Sequence, residues 1–194
     1  MNKSSQHHGR RMLVLIAFLF IGPLVLAWTL YLGGLWRPGA GANHGELLQP
    51  VISLPRDPQP TIDGGTTEGG FLYGRWTLVH LIDGECDEAC VAAVYKTRQV
   101  RLALGREIER IDRVLFLLTT SEPALGTGSE DLLIVTPMGS AGTQIIDALN
   151  ANGGTQRIFL VDPLGNLILG YPRDGDPADI RDDLKKLLRL SRIG

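Results

Sequence analysis

The sequence predicts an α/β domain preceded by a single transmembrane helix, and three observations support this. Residues 12–35 form an apolar run without a charged side chain, short apolar segments alternate with helical patterns from Trp76 onward, and a tight-turn sequence joins two strand-like runs near the carboxyl end. A chain of 194 residues has room for one domain of ordinary size. The net charge of -2 gives no basic surface for a nucleic acid, so we predict no nucleic-acid partner.

The apolar run near the amino terminus is long enough to cross a membrane. As a helix rising ~1.5 Å per residue, residues 12–35 would extend about 36 Å, against a hydrocarbon core of about 30 Å. A cleaved signal peptide is the alternative, but its apolar region would be only ~7–15 residues long and would end at a small-residue cleavage site. The sequence therefore predicts an uncleaved membrane anchor over residues 12–36.

Positive charge flanks this anchor unequally. Lys3, Arg10 and Arg11 precede the apolar run, whereas Arg37 alone lies close behind it. Because cytoplasmic flanks carry the excess of Lys and Arg, residues 1–11 are predicted to be a cytoplasmic tail and everything after the anchor to lie outside. The predicted protein is a single-pass protein of the cytoplasmic (inner) membrane with a periplasmic domain.

The remainder of the chain divides into a linker and a domain. Residues 37–70 are rich in Gly and Pro and are predicted to form a linker, with a short strand near residues 47–54. The domain is predicted to cover residues 71–194. Its predicted elements, in chain order, are a strand at Trp76–Ile82, a helix at 87–111, strands at 113–119 and 132–136, a helix at 143–150, strands at 157–161 and 167–171, and a helix at 179–190.

The order of these elements predicts the topology of the domain. A parallel strand–helix–strand unit followed by an antiparallel hairpin and a covering helix is the thioredoxin arrangement. The sequence DPLGN between the last two strands is a tight-turn sequence and supports the hairpin. The predicted fold class is therefore α/β, a thioredoxin-like domain preceded by a single transmembrane helix.

Two cysteines, Cys86 and Cys90, lie where the first strand of the domain meets its first helix. Their spacing places both sulfurs on one face of the first turn, close enough to form a disulfide or to bind one ion. The helix amino terminus favours thiolate, which is the form needed for disulfide exchange and for soft metals. The acidic neighbours Glu85, Asp87 and Glu88 oppose it. A redox or metal role and a passive structural disulfide are both open on this evidence.

A family resemblance narrows these alternatives. Residues 74–90, GRWTLVHLIDGECDEAC, resemble the G-K-W-x-L…C-x-x-x-C stretch of the Sco/SenC family, and IFLVDPLGNLILGY resembles that family's Y-L-I-D-P-x-G hairpin. These are membrane-anchored thioredoxin-fold proteins of cytochrome c oxidase assembly, and the bacterial members match the layout of anchor, linker and domain. The resemblance implies that Cys86 and Cys90 are copper ligands, or a dithiol that reduces a copper-site disulfide. It also implies a respiratory terminal oxidase subunit or its assembly factors as the partner.

The chain departs from that family at the third copper ligand, which the family supplies as a histidine shortly before the hairpin. The corresponding residue here is Gly154, and no histidine follows His80. Dithiol exchange needs no third ligand, so it survives this departure. We predict that His80 is a buried, hydrogen-bonded residue of the first strand, with a metal or proton-transfer role as the alternative. Met138, on a predicted loop, is expected to pack rather than to complete a copper(I) site.

The leading hypothesis is a membrane-anchored thioredoxin-like factor in cytochrome c oxidase assembly that acts by dithiol/disulfide exchange, with transient copper binding as an addition. Cys86 would react first, and Cys90 would resolve the mixed disulfide. One alternative is a binding scaffold with permanently bridged cysteines, and another is a general periplasmic thiol oxidoreductase. The general enzyme is disfavoured because residues 155–157 stand where thioredoxin-type enzymes place a cis-proline.

Overall fold

The computed structural model contains two compact units, residues 1–42 and 43–194, and each is described by itself. The described parts of the chain are residues 3–32, 43–119, 123–191 and residue 193. The predicted Trp36 and Arg37 flank of the anchor lies outside them.

The first unit contains helix α1, Lys3–Leu32. Within it, Arg10–Leu30 has a mean hydropathy of 2.5 and none of its most apolar window is buried, so this helix is long and apolar enough to cross a membrane. Pro23 lies inside the helix, as is tolerated more often in membrane helices than in soluble ones. The helix begins within the predicted cytoplasmic tail, so helical structure extends upstream of the apolar run.

The second unit is built on one six-stranded mixed sheet in the order β1-β6-β5-β2-β3-β4. β2 pairs parallel with β3, and β3 with β4, whereas the other neighbours pair antiparallel. The central strands carry apolar side chains on both faces, which is why all seven residues of β2 are buried. The strands are β1 Glu46–Ser53, β2 Trp76–Ile82, β3 Ile111–Leu117, β4 Leu133–Val135, β5 Arg157–Val161 and β6 Asn166–Pro172.

Three helices cover the two faces of this sheet: α2 Glu88–Leu102, α3 Gly139–Ala151 and α4 Pro177–Leu190. On one face Ile145 and Leu149 of α3 pack into a core cluster with the sheet. On the other face Val100 of α2 and Leu184 of α4 pack into a second cluster. The strand–helix–strand unit, the hairpin and the covering helix therefore have the predicted order.

The first helix of the domain is shorter than the sequence predicts. We expected one helix over residues 87–111, but α2 ends at Leu102 and a 3₁₀ helix follows at Gly105–Arg110. Gly105 has φ +59°, a left-handed conformation that ends α-helices. The apolar periodicity continues through the break, and this misled the prediction. β3 accordingly begins at Ile111 rather than at residue 113.

Within the segment predicted as a linker, residues 43–70 differ most from expectation. Residues from Asn43 onward belong to the second compact unit, so that unit begins upstream of the predicted boundary at residue 71. β1 is an edge strand paired antiparallel with β6, and Leu48 and Leu54 are buried against the core. The short strand predicted near residues 47–54 is confirmed, and Pro50 is tolerated in it because one side of an edge strand makes no ladder hydrogen bonds.

Candidate functional site

The two cysteines lie at the junction between β2 and α2. Cys86 sits in the loop after β2, and Cys90 occupies the first turn of α2. A disulfide joins them, with a Cα–Cα distance of 5.3 Å. The structure therefore brings together the two residues that the sequence singles out, at the carboxyl end of a central parallel strand where α/β folds place their reactive groups.

The two sulfur-bearing residues differ in access. Cys90 is only 6% exposed and packs with Val94 and Leu115 in an apolar cluster, whereas Cys86 is half-buried at the edge of the same cluster. Attack on a disulfide requires an approach to one of its sulfur atoms. Cys86 is therefore the more accessible residue of the pair to an external thiol.

Asp87, between the cysteines, fixes the start of α2. Its backbone is extended, as an N-cap requires, and its Oδ1 accepts a hydrogen bond from the Cys90 amide at 2.7 Å. Glu88 adds a second carboxylate to the first turn, where the helix dipole favours negative charge. The loop therefore enters the helix in a defined geometry and holds the cysteines at its start.

A polar cleft of about 190 Å³ lies beside Cys90. Arg173, just past the end of β6, reaches into it and places its guanidinium 3.4 Å from Asp87 Oδ2. Thr155 and Gln156, in the 3₁₀ helix before β5, contribute neutral polar groups in place of the cis-proline of thioredoxin-type enzymes. The residues lining the cleft are Leu81, Ile82, Asp83, Glu85, Asp87, Cys90, Thr155, Gln156 and Arg173.

His80 is held in the core, as the sequence predicts. It is 4% exposed in the middle of β2, and its Nε2 lies 2.9 Å from Thr97 Oγ1 on α2. Burial, followed by the positive charges of Arg113 and Lys96, lowers the pKa of His80 to about 3. The imidazole is therefore neutral at physiological pH, and its hydrogen bond ties β2 to α2.

Met138 is more exposed than the sequence suggests. It occupies the N-cap position of α3, without a side-chain cap hydrogen bond, and is 65% exposed, so the prediction that it packs is wrong. It follows β4, which is separated from β2 by β3 in the sheet. Met138 lies in the loop between β4 and α3. Its backbone amide donates a hydrogen bond to Gln59 Oε1 at 2.9 Å.

Sequence reasoning missed Arg173 as a member of the site. The residue lies far from the cysteines in sequence and follows a strand without a motif of its own. Only the pairing of β6 with β5, and of β5 with β2, brings it to the cleft. The cap formed by Asp87 had a visible signal, because Asp directly before a helical pattern is a preferred N-cap.

The family model described as "Transmembrane-like, thioredoxin-like, C-terminal domain" matches residues 76–191. The chain belongs to this family. No curated protein sequence matches the chain significantly.

Solved structures of Sco proteins share the fold of this transmembrane-like, thioredoxin-like domain. Yeast Sco1 with copper bound is 14% identical, with a TM-score of 0.56 over 72% of this chain and 95% of that one. Bradyrhizobium japonicum ScoI with copper bound is 16% identical, with a TM-score of 0.53 over 70% and 98%. BsSco, described as a Sco-family cytochrome c oxidase assembly protein with a disulfide switch, is 16% identical, with a TM-score of 0.51 over 74% and 99%. The predicted thioredoxin-like, Sco-like fold is confirmed.

The residues of this family member do not complete the three-ligand copper site that the Sco resemblance implies. Gly154, which stands where the resemblance calls for the third ligand, has φ +51°, so a side chain there would be strained, and its Cβ would displace the Asn150 side chain, whose Oδ1 would lie 2.7 Å away. His80 is buried against Thr97. Within the described part of the chain, no group of three or more His, Cys, Asp or Glu side chains could hold a metal ion.

Proposed function

We propose that this protein is a membrane-anchored, thioredoxin-like factor in cytochrome c oxidase assembly that acts by dithiol/disulfide exchange. The observation that carries the proposal is the Cys86–Cys90 disulfide at the start of α2, with Cys86 half-buried and Cys90 enclosed. The shared fold with Sco proteins and the apolar helix α1 support the assignment to this class.

The exchange would proceed through two displacements. In the reduced protein, the Cys86 thiolate attacks one sulfur of a partner disulfide, forms a mixed disulfide and releases the other partner sulfur as a thiolate. Cys90 then loses its proton to solvent and attacks Cys86 Sγ, which releases the second partner thiolate. The partner gains two electrons, and the pair returns to the disulfide found in the structure. The reverse sequence oxidises a partner dithiol.

The partner and the location follow from the same proposal. A respiratory terminal oxidase subunit, or one of its assembly factors, would present the disulfide. The anchor would lie in the cytoplasmic (inner) membrane with the amino terminus inside and the domain in the periplasm, as the distribution of Lys3, Arg10 and Arg11 favours. The oxidising exterior would provide the disulfide chemistry that the cytoplasm suppresses.

The first experiment measures whether the bridge can be opened. Full-length protein in detergent is equilibrated with glutathione or dithiothreitol buffers, and we expect a reduction potential above about -300 mV, within reach of cellular thiols. In the Cys90→Ser variant, Cys86 should trap a mixed disulfide with a model disulfide, whereas Cys86→Ser should trap little because Cys90 is enclosed. A potential far below about -300 mV would instead indicate a structural bond and favour the scaffold alternative.

The second experiment tests the function in cells. Cys86→Ser and Cys90→Ser should each abolish the contribution of the protein to oxidase activity. Ala92→Ser, which adds a hydroxyl to an exposed position of α2, provides the matched control and should leave activity unchanged. Full oxidase activity in both cysteine variants would overturn the proposal. Normal activity together with a general loss of periplasmic disulfide reduction would favour the general thiol oxidoreductase.

Copper is tested separately because the exchange chemistry does not need it. Copper(I) is titrated into the reduced full-length protein in competition with a chelator. We expect no tight site, since Gly154 stands where the resemblance calls for a third ligand. Retention of copper(I) against a strong chelator, lost in Cys86→Ser and also in Met138→Leu, would contradict this and would reveal a site that includes the exposed methionine.

A further inference from the structure

The cap residue Asp87 uses an amide donor of the cysteine pair itself. Cys86 Sγ is bonded to Cys90 Sγ, so the Cys90 amide belongs to the residue to which Cys86 is covalently joined. That amide already donates to Asp87 Oδ1 at 2.7 Å. Amide donors at a helix amino terminus are what normally stabilise a cysteine thiolate there. Asp87 therefore competes with the thiolate for a donor.

The charge of Asp87 acts in the same direction. A carboxylate beside a developing thiolate disfavours it by like-charge repulsion. Asp83 and Glu85 line the same cleft, and Glu88 lies in the first turn of α2, so the negative charge around the sulfurs comes from both the loop and the helix. These groups together oppose the effect of the helix dipole.

Arg173 is the cationic residue of the cleft among the described residues, and it faces Asp87. Its guanidinium lies 3.4 Å from Asp87 Oδ2, and its side chain is 22% exposed. Lys96 Nζ donates to the Arg173 carbonyl oxygen at 3.0 Å, which holds the segment after β6 against α2. Arg173 thus offsets part of the Asp87 charge and remains directed at the carboxylate.

We propose that Asp87 is a positioning residue that destabilises the thiolate form of the pair and so keeps Cys86 and Cys90 a reducing couple. A less stable dithiolate favours the disulfide, which means that the reduced pair gives up its electrons readily. Arg173 moderates this effect. The inference rests on the proposed exchange function and names a group that biases its direction towards reduction of a partner disulfide.

The test removes the negative charge of Asp87 and keeps the side-chain cap at the start of α2. Asn is as good an N-cap as Asp, so Asp87→Asn retains the start of α2 and removes the carboxylate. The reduction potential of the full-length protein is measured against glutathione at pH 9, where thiols of ordinary pKa near ~8.5 are largely ionised. In Asp87→Asn we expect the equilibrium constant between disulfide and dithiol to move towards the dithiol by roughly fivefold. This corresponds to a reduction potential about 20 mV less negative than that of the wild-type protein.

Asp176 supplies the matched control. It caps α4 in the same way, with Oδ1 accepting from the Ala178 amide at 2.7 Å, but it lies outside the cleft lining. Asp176→Asn should leave the potential unchanged. Arg173→Gln should move it in the opposite direction to Asp87→Asn, because it removes the opposing charge. A purely structural role for Asp87 would change folding stability without these opposite shifts.

The outcomes separate this inference from the exchange function. An unchanged potential in Asp87→Asn, or equal shifts in Asp87→Asn and Asp176→Asn, would overturn the role of Asp87 while leaving the exchange proposal intact. A shift to more negative values would also overturn it. The exchange proposal fails on its own tests, when cells that carry the cysteine variants retain full oxidase activity or when the wild-type potential lies far below about -300 mV.

Discussion

The two halves of helix α2 differ in their burial and in the groups that they contact. At its amino end, Asp87 is largely exposed, Cys86 is half-buried, and the disulfide borders an open polar cleft. Two turns further on, Thr97 is fully buried. Its hydroxyl oxygen accepts a hydrogen bond from Arg113 Nε at 3.2 Å and lies 2.9 Å from His80 Nε2. One helix thus carries a disulfide beside an open cleft at its amino end and a buried hydrogen-bond network further along.

The buried network continues from α2 to the loop before β4. The Arg113 side chain is fully buried and pairs with Asp131 Oδ1 at 3.0 Å, and Asp131 Oδ2 accepts from Arg101 at 2.8 Å. Burial lowers the pKa of Arg113 to about 10, against the opposing effect of Asp131, so the guanidinium stays charged at neutral pH. The amino end of α2 is therefore held at the surface by the Asp87 cap and the disulfide, whereas the following turns are held by this buried network.

Removing the carboxylate of Asp131 should have the largest effect on the free energy of unfolding, because it disrupts the buried half of α2. Asp131→Asn keeps a residue that tolerates φ of 62° but removes the charge opposite buried Arg113. We expect the free energy of unfolding to fall by about 3 kcal/mol, because the buried charge loses much of its compensation. Urea unfolding monitored by circular dichroism measures this, on full-length protein in detergent.

An exposed pair provides the control for that substitution. Asp182 accepts from Arg181 Nε at 2.9 Å on the surface of α4, and both side chains face solvent. Asp182→Asn should leave the unfolding midpoint unchanged, since exposed ion pairs contribute little. A similar loss in both variants, or no loss in Asp131→Asn, would show that the network does not support α2.

The sequence predicts the central strands and the cysteine pair because their signals are local. β2 and β5 have the predicted bounds, since short apolar runs between turns are typical of strands buried on both faces. The spacing of Cys86 and Cys90 at a strand-to-helix junction likewise needs no distant information. The fold class could therefore be predicted before any coordinate was known.

The missed features depend on contacts between distant parts of the chain. The strand near residues 47–54 was predicted, but its antiparallel pairing with β6, which makes it part of the second unit, depends on a distant segment of the chain. Arg173 lies in the cleft because the order of strands in the sheet brings the end of β6 close to the cysteines. Asp131 pairs with Arg113 from an irregular loop before β4. Local propensity carries no information on these pairings. The acidic neighbours of the cysteines were visible in the sequence, whereas the cation Arg173 that faces Asp87 was not.

The pH dependence of stability tests the buried half of α2 more finely. The pKa of His80 is lowered to about 3, from about 6.5 in an unfolded chain. Between these values the unfolded chain binds a proton that the folded protein excludes, so stability is fully present above pH 6.5 and is lost as the pH falls towards 3.

His80→Gln keeps a polar side chain at this position and removes the titration. Between pH 7.5 and 5.5 the wild-type protein should lose about 1.4 kcal/mol more stability than this variant, because one extra proton binds to the unfolded chain over roughly one pH unit. Equal losses in the two proteins would mean that the imidazole takes up its proton while folded. In that case the hydrogen bond to Thr97 would open more readily than its burial implies, and the buried half of α2 would be accessible to solvent protons, as its exposed amino end is.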